Sequence, residues 1–595
     1  MATHRKKTMK LMQTKITKAI ILMLTMAFAF TACKKEDEVF PAPTVSAGAA
    51  LSGLPGAKVT LTATVSAPGG LKSITVLKNG VAFDSKTFAG ETSTSYTKEY
   101  TVESLPAGSV VNFTIQVLDN ANQSSALTTI PVTITAVPPT PIVEVKGNLE
   151  GNVTWTADKI YKLVGFVRVG QEDVFGTITK TGTLTIEPGT LIIGDRATKG
   201  TLVVQRGSKI IANGTVDKPI VMTSERNPGE KEAGDWGGLV ICGKAPNNLP
   251  NNSKDRELEG QYGAFHGGTD ADDNSGSLKY VRVEYAGIPV NPNQEVNSLT
   301  FGSVGKGTFI DYVMASYGLD DSFEWFGGTV NAKHLIAYRG LDDDFDVDNG
   351  FSGNVQYGIG IRGATQADQS QSNGFEVDND ATGSSSTPFT SGIFANMSII
   401  GAKGKAETSI NVQFQNGAQL RRNNKLKIYN TLITGYPNGI YIDSQRGNAK
   451  VNAEKGEIVL ENVILAGVDK WGTNGWGQGF STLPRGFAVS DVEQNATLTP
   501  ILIGTVTPTA WFSAQKGNKI LANTSKTGLS PTLWGTGTPT FTLTPGATES
   551  LIGATLPATL PAFFDKTDFV GAFKDNADWT KTWAEFNPQS IKYVK

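Results

Sequence analysis

The chain has 595 residues, 66 of them Gly, with only 18% charged residues and a formal net charge of −2. This length allows more than one domain and a large core. The near-neutral balance gives no reason to expect nucleic acid or an acidic membrane surface as a partner. Glycine-rich, charge-poor, Thr/Val/Ile-rich composition suits turn-rich β structure.

The chain opens on a targeting pattern. Arg5, Lys6, Lys7, Lys10, Lys15 and Lys18 form a basic region, and Ala19–Phe30 is an apolar run too short to span a bilayer as a helix. Phe30–Cys33 (FTAC) follows, with small residues just before a cysteine. This resembles a bacterial lipobox, so residues 1–33 are expected to be a lipoprotein signal peptide and Cys33 the lipidated N-terminus. More than one acyl chain then gives stable membrane anchoring. Residues 34–43 are expected to be a tether, and KKEDE (Lys34–Glu38) resembles the acidic export signal of outer-membrane lipoproteins that face the cell exterior. With Cys33 lipidated, Cys242 has no disulfide partner, and its apolar surroundings predict a buried, inert thiol.

Residues 44–136 alternate strands and turns. Asn79-Gly80 between two strand-like runs predicts a type I′ hairpin, and the whole region predicts an immunoglobulin-like β-sandwich without a Cys pair. A Pro-rich linker is expected over 137–144. From there short β segments separated by Gly, Asn and Asp predict a parallel β-helix solenoid over 145–470, with final coils and a C-terminal cap over 471–595. Trp579, Trp583 and Phe586 supply the apolar surface of that expected end cap, with Asp578 capping a short helix. Carbohydrate stacking is the sharper alternative for these aromatics. The fold class is therefore all-β.

Several stretches carry a family resemblance: TLTIEPGTLIIGD, GTLVVQRGSKIIANGTVDKPIVMTSER, GDWGGLVICGKAPNN, NQEVNSLTFGSVG and the GLDD repeats. They look like Bacteroidota-type surface lipoproteins with pectate-lyase-like right-handed β-helices. The resemblance implies that fold and a surface location. It implies no catalytic residues, since members are mostly of undefined function. The GHG and RIK motifs of polygalacturonases and pectate lyases are absent, and HGG (His266–Gly268) falls in a loop.

The chemistry concentrates between Gly318 and Asp380, in GLDDSFEWFGG, GLDDDFDVDNG and NGFEVDND. Phe323 and Phe345 hold equivalent places, 345 − 323 = 22 residues apart, one turn of a coil. Side chains along a strand alternate between interior and solvent. The inward pairs are then Leu299/Phe301, Phe323/Trp325, Phe345/Val347, Phe375/Val377, Val412/Phe414 and Ile440/Ile442. Outward, Glu324, Asp346 and Glu376 form one column and Asp348 and Asp378 the next, with Gln413/Gln415 and Tyr441/Asp443 on the following rungs. Carboxylates on adjacent rungs, about 5 Å apart, repel by roughly 3 kcal/mol at an effective dielectric of 20.

Three outcomes relieve that repulsion. The group binds a hard cation such as Ca²⁺, with Glu324, Asp344, Asp346, Asp348, Glu376 and Asp378 as ligands. Some carboxyls stay protonated for acid/base chemistry, with Asp346, Asp348, Glu376 and Asp378 as the catalytic set of a polysaccharide lyase or glycoside hydrolase. Or they pair with Arg339, Arg362, Arg421 or Arg422 as a solvated face. Trp325, Phe326, Tyr317 and Tyr441 nearby suit sugar stacking. A second, weaker cation candidate joins His266 to Asp270, Asp272 and Asp273. The leading expectation is a non-catalytic, lipid-anchored surface protein binding Ca²⁺, a polysaccharide or a surface protein. An enzyme and a purely adhesive module are the rivals.

Overall fold

The computed structural model describes residues 39–136, 138–250, 256–292, 294–405, 408–468, 489–493, 502–541, 551, 553–574 and 577–593. Cys33 and the expected signal peptide lie outside them. Among the described residues no helix is long and apolar enough to cross a membrane. The chain divides into two compact units, residues 1–139 and 140–595.

The first unit is a two-sheet β-sandwich. Thr44–Ala47, Lys58–Ser66 and Ser93–Thr101 form one sheet; Leu51–Gly53, Thr128–Ile134, Val110–Asp119, Leu71–Lys78 and Val81–Thr87 form the other in that order. Alternation drives it: Leu61, Val65, Ile74, Val76, Phe113 and Ile115 point into one buried core. The expected hairpin is present, with Asn79 at φ 47° and Gly80 at φ 83° joining two antiparallel strands.

The second unit is a right-handed parallel β-helix. It begins at Ile142–Val145, which already pairs with Ile160–Leu163 inside the expected linker. Two parallel sheets, of 11 and 18 strands, wrap a continuous apolar interior. Six strands of the smaller sheet position the acidic side chains: β1 (Leu299–Gly302), β2 (Phe323–Phe326), β3 (Phe345–Asp348), β4 (Phe375–Val377), β5 (Asn416–Arg421) and β6 (Asn438–Ser444). The expected rung alignment holds from β1 to β4, where Leu299, Phe323, Phe345 and Phe375 lie in one inward file. Phe323 and Phe345 stack at 5.7 Å and 7°, and Trp325 lies against Phe301 at 5.5 Å. The expected rung at Val412–Gln415 is corrected: Val412 is 43% exposed, and β5 pairs with β4 through Glu376 opposite Gln419 and Val377 opposite Leu420. Ala418 and Leu420 therefore face inward, and Gln419 and Arg421 outward.

One corner of the larger sheet turns through left-handed backbone on seven rungs, at Tyr280, Tyr312, His334, Tyr357, Asn396, Asn430 and Asn462 (φ 44–64°). Asn tolerates that conformation through its short polar side chain. Asn462 Nδ2 donates to Asn430 Oδ1 at 2.9 Å. The bulky residues instead stack along the axis: Tyr280 on Tyr312 at 4.6 Å, Tyr312 on His334 at 4.2 Å, His334 on Tyr357 at 4.9 Å.

The stretch carrying Trp579, Trp583 and Phe586 does not cover the end of the coil. The C-terminal segment runs back along the side of the stack as a strap. Ala554 and Phe569 accept hydrogen bonds from Asn430, Phe586 from Tyr317, and Pro588 from Lys231. Trp583 and Phe586 cover Met314, Ile336, Tyr338 and Ile361. Trp579 is half-buried against Phe573, and among the described residues around it no helix forms. Residues near the C-terminal end of the interior come instead from the helix Pro508–Ala514, capped by Thr507, which adds Trp511 and Phe512 to the core.

Candidate functional site

The outward face of β2 and β3, with the GLDD bends that precede them, lines a cleft of about 680 Å³. Eight of its lining residues are acidic: Glu259, Glu295, Asp320, Asp321, Glu324, Asp342, Asp346 and Asp368. None is basic. The strand register puts Glu324 beside Asp346 and Asp346 beside Glu376, as alternation requires. The bends add Asp320, Asp321, Asp342 and Asp343, which the strand columns alone did not single out as ligands. Three overlapping groups have carboxylate oxygens within 4.8 Å of one another: Asp320/Asp321/Asp342, Asp321/Glu324/Asp346 and Asp343/Asp346/Glu376.

Few donors satisfy this cluster. Asp321 accepts from the Asp343 backbone N–H at 2.8 Å, Asp343 from the Asn373 N–H, and Asp342 from Ser370. Asn297 Nδ2 donates to Glu324, but the Asn297 amide oxygen has no partner although the residue is only 5% exposed. Burial, then mutual repulsion, raises Asp320, Asp321, Glu324 and Asp343 well above the usual carboxylate range. Burial pushes Asp346 up to about 7, with Asp348 adding to the shift and Arg421 opposing it. Asp348 is pushed up to about 6, again by burial. Each of these groups keeps its proton to a higher pH than a free carboxyl does, and a positive charge in the cleft would favour its loss.

The rest of the expected set separates. Asp344 is corrected: the bend before β3 turns it into the coil interior, where it pairs with Arg362 at 2.9 Å and accepts from Tyr436 at 3.2 Å. Gly360 makes room for it, since a Cβ there would lie 2.4 Å from the carboxylate. Burial still raises Asp344 to about 6. Asp378 is held by Arg421 at 2.8 Å and Arg422 at 2.6 Å, and Arg421 also contacts Glu376. The Arg end of the face is therefore a salt-bridge network, while Asp320, Asp321, Glu324, Asp342, Asp343 and Asp346 toward the bends make no ion pair among the described residues. Arg339 turns away to the Gly535 carbonyl.

The aromatic expectations are also corrected. Trp325 is fully buried among Phe301, Phe323, Phe345 and Phe351, and Tyr441 is 1% exposed, so neither offers a sugar-stacking face. Phe326 is half-buried beside His266. His266 is buried and hydrogen-bonded to Ser303 at 2.9 Å, and burial lowers it to about 3, so it is a neutral structural residue. Asp273 pairs with Lys244, and no cation-sized carboxylate group forms in that loop among the described residues. Cys242 is fully buried, as expected, and burial raises its thiol.

Comparison with known proteins agrees on the architecture. A family model described as a pectate-lyase-like β-helix domain matches residues 147–500. Among solved structures, a family 28 exopolygalacturonase from Yersinia enterocolitica is similar at 10% identity and TM-score 0.15, covering 81% of this chain and 98% of that one. Pectate lyase Pel3 from Pectobacterium carotovorum follows at 11% identity and TM-score 0.13, covering 65% of this chain and 86% of that one. Similarities this loose carry no argument about activity. No curated protein matches the chain. With more than half its length matched by that model and its strands paired in parallel rungs around one interior, the chain belongs to the pectate-lyase-like β-helix domain family.

Proposed function

We propose that this is a lipid-anchored surface protein whose β-helix binds a divalent cation of the calcium class in the acidic cleft and, through it, a glycan. The observation that carries the reading is the imbalance of the cleft: among the described residues, eight carboxyl side chains, no basic one, and the buried, unpartnered amide oxygen of Asn297. Ca²⁺ takes six to eight oxygen ligands in flexible geometry. Asp321, Glu324, Asp346 and Asn297 would hold it, with Asp343 and Glu376 beside them. A bound cation would neutralise part of the cluster and offer open positions to sugar hydroxyls or carboxylates. The signal pattern ending at Cys33 supports anchoring, and the sheet order of the first unit supports an immunoglobulin-like spacer.

A hydrolase is the second reading. Asp321, Glu324 and Asp346 carry oxygens within 4.8 Å of one another, close to the roughly 5 Å spacing of retaining glycosidases. Incubation with a panel of neutral and acidic polysaccharides, with Ca²⁺ and with chelator, separates the two. The binding reading expects calcium-dependent retention of a polysaccharide and no new reducing ends or unsaturated products. Product formation that Asp346→Asn abolishes would replace it with the enzymatic one.

A further inference from the structure

A second cavity, of about 410 Å³, lies on the same face of the β-helix near its first turns. The strand register runs Arg168, Val203, Val240, Thr300, Glu324, so this cavity and the acidic cleft are four rungs apart, about 19 Å. The face between them is closed. Val203 and Val240 are roofed by Leu258, Ala264 and Val296 in a separate apolar cluster. The two cavities are therefore distinct sites.

Most polar groups of this cavity are already used. Asp173 accepts from the Phe175 and Thr177 N–H groups at 2.9 and 2.8 Å, and Glu257 from the Gly263 N–H at 2.6 Å. Glu172 spends one carboxylate oxygen on Arg206, at 2.8 Å, and Gln205 spends its NH₂ on the Gly263 carbonyl, at 2.9 Å. Two buried acceptors of this lining remain without a donor: Glu172 Oε2 and Gln205 Oε1. Both side chains are at least 98% buried. A buried acceptor without a donor is costly and marks a place where a ligand supplies the missing hydrogen. Arg206 opposes the charge of Glu172, and burial, the larger influence, pushes its carboxyl up to about 7, so the missing partners need carry no charge. The polar rim carries one exposed apolar side chain, Val174, which is 82% exposed at the tip of the hairpin that carries Glu172.

We propose that this cavity is a binding site for a neutral saccharide unit, with two neighbouring ring hydroxyls donating to Glu172 and Gln205 and the C–H face of the ring covering Val174. A sugar matches both halves of the site, since it pairs a polar edge with an apolar face. The site does not depend on the cation reading of the acidic cleft.

Saturation-transfer NMR on the purified protein in excess chelator tests it, with methyl β-D-glucopyranoside, methyl β-D-galactopyranoside and methyl α-D-mannopyranoside as probes. At least one is expected to bind saturably, with Kd on the order of millimolar. Gln205→Met, nearly isosteric, is expected to weaken it about fivefold or more. Val174→Glu, at an exposed position that cannot disturb the fold, should weaken it too, and Asp346→Asn should leave it unchanged. No transfer from any probe, or equal affinity in Gln205→Met and Val174→Glu, overturns the proposal. Loss of binding in Asp346→Asn also overturns it, by placing the sugar in the acidic cleft.

Discussion

Chelating divalent cations is expected to make the protein less stable at pH 8 than at pH 5, the reverse of ordinary acid denaturation. The reason is the direction in which the cleft carboxyls are displaced. Asp346 is raised from 3.8 to about 7 and Asp348 from 3.8 to about 6, both chiefly by burial. A carboxyl whose folded pKa lies above its unfolded value binds its proton more tightly in the folded state. Its contribution favours folding at low pH and is lost as pH rises from the unfolded value, near 4, through the folded one, near 7. Asp320, Asp321, Glu324 and Asp343 shift in the same direction and enlarge the effect. The expected fall in Tm between pH 5 and pH 8 is roughly 3–6 °C in chelator. Ca²⁺ should abolish most of it, because a cation bound only by the folded state stabilises that state by about 2.7 kcal/mol at a hundred times its Kd. Thermal melts across this range, with and without Ca²⁺, check both parts. A flat profile in chelator would show that the carboxyls relax outward into water.

Replacing Trp583 with Ala is expected to loosen the C-terminal strap. Trp583 is fully buried, donates to the Trp579 carbonyl at 2.9 Å and packs edge-on against Tyr280 and Tyr312 at 5.9 Å each. Truncating a buried Trp costs about 3–5 kcal/mol. The loss falls on a segment that lies on the outside of the coil. The first event is therefore detachment of the strap, and unfolding of the rungs follows later. Detachment bares Met314, Ile336, Ile359 and Ile361, an apolar surface that promotes association. Limited proteolysis should release C-terminal fragments from Trp583→Ala well before the parent protein is cut. Equal protease resistance would mean that the polar anchors, Lys231 to Pro588 and Asn430 to Phe569, hold the strap unaided.

Where the repeat is regular, the fold and the acidic face are legible in the sequence. On β2, β3 and β4 the inward file is wholly apolar, so alternation alone orients Glu324, Asp346, Asp348 and Glu376, and the structure keeps that alternation. Legibility fails in three places, each for a physical reason. The insertion before β5 breaks the 22-residue period, and Val412–Gln415 imitates an alternating strand; the true rung follows because burying Ala418 and Leu420 sets Arg421 against Glu376 and Asp378. The bends obey no alternation rule, so the convergence of Asp320, Asp321, Asp342 and Asp343 on the cleft, and the burial of Asp344 beside Arg362, depend on the corner geometry of the coil. The strap joins residues more than 300 positions apart, as in Lys231 to Pro588, and no local pattern announces such a contact.

The same alternation explains why Trp325 had two conflicting readings. Its parity with Phe323 assigns it to the interior, while its place in an acidic, aromatic stretch suggests a ligand contact. Burial decides for the interior, because an indole in line with Phe301 and Phe345 removes more apolar surface from water there than at the rim. On the proposed reading, glycan recognition at the cleft would come from the cation, the carboxyls and the polar loop residues around Ser370 and Gln413.

Calorimetric titration of Ca²⁺ into chelator-treated protein at pH 7.5 tests the central claim most directly. The account predicts saturable binding that Asp321→Asn/Asp346→Asn removes while the fold, followed by circular dichroism, is retained. Absence of binding heat at millimolar Ca²⁺, or binding unchanged in the double variant, would contradict it.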